Sequence, residues 1–312
     1  VPGFERLPLE QKELIYYLAE AAKCGRDILF DQNCAANLPI RRTLETLYLN
    51  YKGDRTAEEW KALEKYLKKV WFANGIHHHY SNDKFHPEFS ETFLREAAAS
   101  VGMDRFPADF DFLCKVIFDP ALYPTRLNQA AGADMLWTSA SNYYSNVRQH
   151  EAEQFYAAMA AADAGNPCPV SFGLNSQLVK EEKTGRMYER TWKVGGMYSP
   201  AIERIVYWLE KARDAAAEPQ KQTLAALVDY YRTGDLKQFD RYNILWLQDT
   251  VSNVDFVNGF IETYGDPLGY KASWEANVNF IDSAACRRTQ IISENAQWFE
   301  DHSPVDPRYR KE

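Results

Sequence analysis

The segment Asn-Val-Asp-Phe-Val-Asn-Gly-Phe-Ile-Glu-Thr-Tyr-Gly-Asp-Pro-Leu-Gly, residues 253–269, is rich in β-branched and aromatic residues and closes on Gly-Asp-Pro. That is the composition of a strand running into a turn. Side chains alternate along a strand, so this reading sets Phe260, Glu262 and Tyr264 on one face and Gly259, Ile261 and Thr263 on the other. A carboxylate and a phenol then stand two positions, about 6.6 Å, apart. An extended peptide spans roughly that distance from its free amine to the carbonyl of its second residue. A carboxylate at one end can hold an ammonium, and a phenol at the other can donate to a carbonyl oxygen that gains charge during hydrolysis. Taken alone, the strand fits a plainer reading more readily, in which Glu262 pairs with a surface cation and Tyr264 is a half-buried strand aromatic.

Outward from this strand, helical periodicity dominates. Leu14, Ile15, Leu18, Ala21 and Ala22 predict one helix over Leu9 to Phe30, and Leu44, Leu47, Tyr48 and Tyr51 a second that ends at Lys52-Gly53-Asp54. Thr56 with Glu59 reads as a capping box opening a third, with Trp60, Leu63, Leu67, Val70 and Trp71 on its buried side. Shorter helices follow at Ser90 to Ser100 and Ala108 to Ile117, then a longer one at Asn142 to Ala162. After Gly165 the pattern changes. Val170 to Val179 and Met187 to Val194 read as a β-hairpin, Ser199-Pro200 as the start of a helix with Ser199 as its cap, Gln220 to Tyr231 as another helix, Ile244 to Thr250 as a strand, and Trp274 to Glu300 as mostly helical, with Asn277 to Phe280 open to an extended reading. The expected organisation is α+β, residues 1–164 mainly helical and residues 165–312 mixed.

Composition narrows the function classes. The 312 residues carry a formal net charge of −8 and are 46% hydrophobic, which supports a sizeable core and argues against nucleic acid as a partner. No apolar run is long enough to cross a bilayer, and no membrane partner is expected. The five cysteines, Cys24, Cys34, Cys114, Cys168 and Cys286, form no Cys-x-x-Cys pair. They are expected to be reduced thiols, mostly in the core, in a cytoplasmic compartment. The chain opens on Val1 without an initiator methionine, so residues upstream are expected to have been removed or left out.

The loop Asn74 to Pro87 holds His77, His78, His79 and Tyr80. Three consecutive histidines do not easily converge on one tetrahedral ion, so the loop is read as solvated or as lining a groove with Tyr80. No histidine is followed by another four or five residues later, and no phosphate loop or Gly-x-Ser-x-Gly elbow occurs. A helical zinc-peptidase site is therefore not expected within the chain.

Several stretches carry a resemblance, in order and with plausible separations: Gly259 to Pro267, Leu245 to Asp249, Met197 to Pro200 with Leu209 to Ala212, and Asp83-Lys84-Phe85. With these the sequence resembles the dipeptidyl peptidase III family of zinc exopeptidases, in its amino-terminal portion. The resemblance implies the lower lobe of a two-lobed peptidase, predominantly helical with a small β-barrel-like sheet core. It also implies that Glu262 holds the free amine of a short peptide substrate, that Tyr264 assists at the scissile carbonyl, that Tyr80 lines the cleft, and that Ile261 belongs to the substrate-binding set. The family's zinc site, a His-Glu-x-x-Gly-His helix with a later glutamate, is absent before Glu312. The expectation is a fragment that binds no zinc and shows no turnover by itself, with the zinc-bearing lobe as its partner. The rival is a noncatalytic peptide-binding module built on the same strand.

Overall fold

The computed structural model describes residues 1–310. Its first helix, α1 (Leu9–Cys24), buries Leu14, Leu18 and Ala21, one helical stripe. The single helix expected through Phe30 is instead broken at Gly25, and α2 (Arg26–Asn33) follows. The cause is tertiary: a Cβ at Gly25 would lie 2.1 Å from the Trp274 ring, so only glycine admits the indole there. Helices α3 (Asn37–Asn50), α4 (Glu58–Ala73), α5 (Glu91–Val101) and α6 (Phe110–Phe118) enclose a core of Ile40, Leu44, Leu47, Trp60, Leu63, Leu67, Val70, Leu94 and Leu113.

The capping box expected at Thr56 does not form. Helix α4 begins after Ala57, the Thr56 hydroxyl donates to Asp54, and the Glu59 carboxylate reaches across to the amide and hydroxyl of Ser90. Ser90 is the residue that caps, accepting from Phe93 N at 3.1 Å at the start of α5. Trp71, expected on the buried side of α4, is 39% exposed and donates its indole N–H to Glu45.

The second half mixes sheet and helix. Tyr144–Ser145 forms a short strand, β1, so α7 (Gln149–Ala162) starts later than the expected Asn142. Strand β1 pairs in parallel with β2 (Ser176–Lys180), which forms the expected hairpin with β3 (Met187–Thr191). Helix α8 (Ser199–Ala215) places Ser199 inside its first turn, and Tyr198 holds the cap position. Helix α9 (Gln220–Thr233) is followed by α10 (Leu236–Gln248), which overturns the strand expected at Ile244 to Thr250. Asp235 caps α10 through Lys237 N at 2.9 Å, and Phe239 and Tyr242 supply its buried stripe. A short apolar run without this context does not distinguish helix from strand.

Strand β4 (Val254–Glu262) pairs antiparallel with β5 (Ser273–Phe280), so the start of the expected helical stretch from Trp274 is extended, and α11 (Ser283–Glu294) and α12 (Ala296–Asp301) come after it. The strands form a three-stranded sheet and a separate two-stranded ladder rather than a barrel. Helices α1 and α2 pack on β5, and α1 also packs on α8. Their shared core joins Leu14 and Leu18 to Trp192, Ile202, Leu209, Phe256, Phe260 and Trp274. The fold class is thus α+β and predominantly helical. Among the described residues no helix is long and apolar enough to cross a membrane. All five cysteines are free. Cys34 and Cys114 are buried, whereas Cys168 and Cys286 are exposed, so the core expectation fails for those two.

Candidate functional site

Strand β4 sends Val254, Phe256, Asn258 and Phe260 into the interior, each at most 2% exposed. Strict alternation would bury Glu262 after them. The register instead passes from Phe260 opposite Trp274 to Glu262 opposite Ser273, so β4 contributes one residue more than β5 and Ile261 is the extra residue of a bulge. Neighbouring residues on β5 face opposite ways, and the bulge therefore turns Glu262 outward, where it is exposed. The face expected to be shared by Phe260, Glu262 and Tyr264 is corrected accordingly. Phe260 is core, while Glu262 and Tyr264 are outside it, the latter 70% exposed in the turn beyond the strand. Ile261 is half-buried and packs against the core.

Glu275 lies opposite Gly259 on β5, two residues from Ser273, and so on the face to which the bulge turns Glu262. Burial, and then the charge of Glu262, push the Glu275 carboxyl above the usual carboxylate range. The Tyr264 phenol is also pushed up, first by burial and then by Glu275 and Glu262, while Arg126 opposes them. Four ionisable groups therefore share one neighbourhood: two carboxylates, a phenol and a guanidinium. Arg126 is itself fixed, with Nε donating to Asn82 Oδ1 at 3.0 Å and Nη1 to Asn33 Oδ1 at 3.1 Å.

Through Asn82 the guanidinium reaches the loop that carries Tyr80. The Arg126 amide donates to Asn82 O at 2.9 Å, and Asn82 adopts a φ of 63°, a left-handed conformation that asparagine tolerates. His77 turns inward to hydrogen-bond Tyr123 O at 2.9 Å, whereas the His78 and His79 rings stack outside it, 4.7 Å apart. Tyr80 is 83% exposed. The structure thus brings Glu262 and Tyr264 together and links Tyr80 to them only through Asn82 and Arg126. A groove of about 610 Å³ runs beside Glu275, bounded by Leu29, Asn74, Trp274 and Asn277.

Sequence reasoning missed Glu275 and Arg126. The first sat in a stretch read as helix, where pairing with Gly259 was invisible. The second lay in a Tyr-Pro-Thr-Arg connection with no periodicity to place it.

The arrangement offers a cation two carboxylates and, next to them, a phenol that keeps its proton at neutral pH. Among the described residues no group of three or more histidine, cysteine, aspartate or glutamate side chains is disposed to hold a metal ion. The residues present therefore do not fit a zinc site.

The sequence profile of Peptidase family M49 matches residues 134–312. The chain belongs to that family, the dipeptidyl peptidase III family. It is 27% identical over 163 residues to human dipeptidyl peptidase 3, covering 52% of this chain and 22% of the human one. It is also 28% identical over 116 residues to Nudix hydrolase 3 of Arabidopsis thaliana, covering 36% of this chain and 14% of that one. The solved structure of dipeptidyl-peptidase III from Corallococcus sp. strain EGB superposes with a TM-score of 0.61 at 16% identity, covering 100% of this chain and 46% of that one. That of the Caldithrix abyssi protein gives 0.62, covering 98% of this chain and 46% of that one. The chain spans less than half the length of these relatives.

Proposed function

We propose that the chain is the substrate-binding lobe of a zinc-dependent dipeptidyl peptidase that releases dipeptides from the amino ends of short peptides. The observation that carries this reading is the bulge at Ile261, which turns Glu262 out of the core beside Tyr264 on a chain of a peptidase family. Glu262 takes the peptide ammonium, and Glu275 adds a second negative charge to the same place. Holding the amine sets where the peptide's second carbonyl falls, so the cut is measured from the free end. Tyr264 donates its phenolic proton to the carbonyl oxygen as charge builds there. Its raised pKa keeps that proton in place through neutral pH. Tyr80 and Ile261 complete the contacts along the peptide.

A zinc ion held by a second lobe would supply a polarised carbonyl and an activated water. The chain by itself is read as inactive. In the enzyme that joins the two lobes, Glu262→Ala raises KM for a dipeptidyl arylamide by about tenfold or more and blurs the position of the cut. Unchanged kinetics and cleavage products would remove the amine-anchor role. The rival reading, a noncatalytic peptide-binding module, predicts that a short peptide binds at Glu262 and is never cleaved, even with the second lobe present.

A further inference from the structure

We propose that Asp266 and Lys271, both out of reach of any substrate, form a buried strut that positions Tyr264 for its part in the reaction. The inference rests on the functional reading above and concerns the turn that carries the phenol. Tyr264 sits where β4 has ended and strand pairing no longer holds the backbone. An exposed aromatic on an unsupported turn would sample many orientations, and a donor gains catalytic value only when it is already aimed.

The aim comes from beneath. The Asp266 carboxylate, in a residue 2% exposed, collects the amides of Leu268 at 3.2 Å, Tyr270 at 2.8 Å and Lys271 at 2.9 Å. It also accepts the Tyr144 hydroxyl at 2.8 Å, which ties the turn to β1. The Asp266 main chain closes the same loop, its amide donating to Thr263 O at 3.0 Å and its carbonyl accepting from Gly269 N at 3.1 Å.

At the far end Lys271 is 0% exposed, and its ammonium donates to the Tyr156 hydroxyl, to Ser176 Oγ at 3.1 Å and to Gly173 O at 3.2 Å. Glu189 stands 3.6 Å away and itself accepts from Tyr156 and Ser176. The turn is therefore fastened to α7, to β2 and to β3. Gly265 completes the fit, because a Cβ there would fall 2.7 Å from Ser273 Oγ and 3.2 Å from the Tyr143 hydroxyl. Burying a lysine with carboxylates is an expensive way to close a turn. Fixing an exposed side chain in one orientation gives that expense a use.

A positioning role makes kinetic demands that mere stability does not. In the two-lobed enzyme, Lys271→Met lowers kcat for a dipeptidyl arylamide by about tenfold and moves KM by less than about threefold, as Tyr264→Phe does, because both remove help given at the transition state. In the double variant Lys271→Met/Tyr264→Phe the two losses do not multiply, since each acts through the same phenol. Lys271→Met/Glu189→Gln, which removes the charge left unpaired, recovers melting temperature and leaves kcat low. The proposal is overturned by multiplicative losses, by a kcat that returns with melting temperature, or by a Lys271→Met enzyme as fast as wild type. If Lys271→Met does not fold, Tyr144→Phe removes only one bond to Asp266. It should lower kcat by about threefold at unchanged KM, and full activity there overturns the strut. Should Tyr264→Phe itself leave kcat unchanged, the catalytic reading falls and the strut with it. A slow Tyr264→Phe enzyme beside a fast Lys271→Met enzyme sinks the strut alone.

Discussion

Two segments of the molecule each lift an exposed tyrosine above a buried lysine. In the loop of Tyr80, Lys84 is 5% exposed and donates to the main-chain carbonyls of Asp119 at 2.7 Å and Leu122 at 2.8 Å. In the turn of Tyr264, Lys271 is 0% exposed and answers to a carboxylate, two hydroxyls and a carbonyl. Burial pulls both lysines below the ordinary amine value, Lys271 to about 8. The difference lies in the counter-charge. The first loop is held by hydrogen bonds to peptide dipoles, with the Asp119 charge acting on Lys84 without an ion pair, and the second by a charged network, so the same substitution removes different things. One leaves the Leu122 carbonyl without a donor, Asp119 O keeping the Leu122 amide at 3.3 Å, and the other leaves carboxylates without a cation.

The largest expected effect tests that distinction directly. Lys271→Met should cost about 3–5 kcal/mol, because an uncompensated charge stays behind in the interior. Lys84→Met should cost about 1–3 kcal/mol, the range for unsatisfied neutral groups. Urea unfolding of the two variants measures both, and equal losses would erase the contrast between dipole and charge.

Acid should separate the two segments next. His77, 2% exposed beneath the Tyr80 loop, is pushed down to about 4 by burial. A group with a depressed folded pKa contributes stability that is present above its unfolded value of about 6.5 and is lost as pH falls through the folded one. Between those values the unfolded chain binds the proton more readily, and the loss reaches about 3 kcal/mol. The Asp266 carboxyl, raised by burial, works in the opposite sense and withdraws no stability as pH falls. Hydrogen exchange across pH 7 to 4 should therefore show amides 76–85 opening before amides 266–271. Simultaneous opening, or no change when His77→Phe is introduced, would contradict this account.

The smallest effect is at the exposed rings. Tyr80→Ala and Tyr264→Phe should each change unfolding free energy by no more than about 0.5 kcal/mol, as solvent-facing side chains do. Chemical denaturation checks this. A larger loss at either position would mean that the ring carries packing as well as the proposed contact with a peptide.

Much of this contrast could be read from the sequence, unevenly. Helical stripes such as Leu14, Leu18 and Ala21 declared themselves through spacing, and Gly-Asp-Pro announced the end of β4. The pair Glu262 and Tyr264 was visible as a carboxylate two places from a phenol. Its route to the surface was misread, because period two knows nothing of a bulge. Lys84 stood in a stretch that carries the family resemblance, and Lys271 in none, but nothing near either marked its burial. A lysine looks the same in sequence whether it is solvated or sealed beneath a turn, and its burial depends on partners as distant along the chain as Tyr156 and Ser176.

By itself the sequence determined the α+β class, most of the helices, the stretch that marks the family and the two side chains on which the proposed function turns. These are properties of near neighbours along the chain, where spacing and turn chemistry act. Only the tertiary structure decided that Gly25 breaks a helix for the Trp274 indole, that Glu262 leaves the core while Phe260 stays, and that Glu275 and Arg126 join them. Each of those outcomes is set by packing, pairing or charge acting across space between residues far apart in sequence, and no local pattern records it.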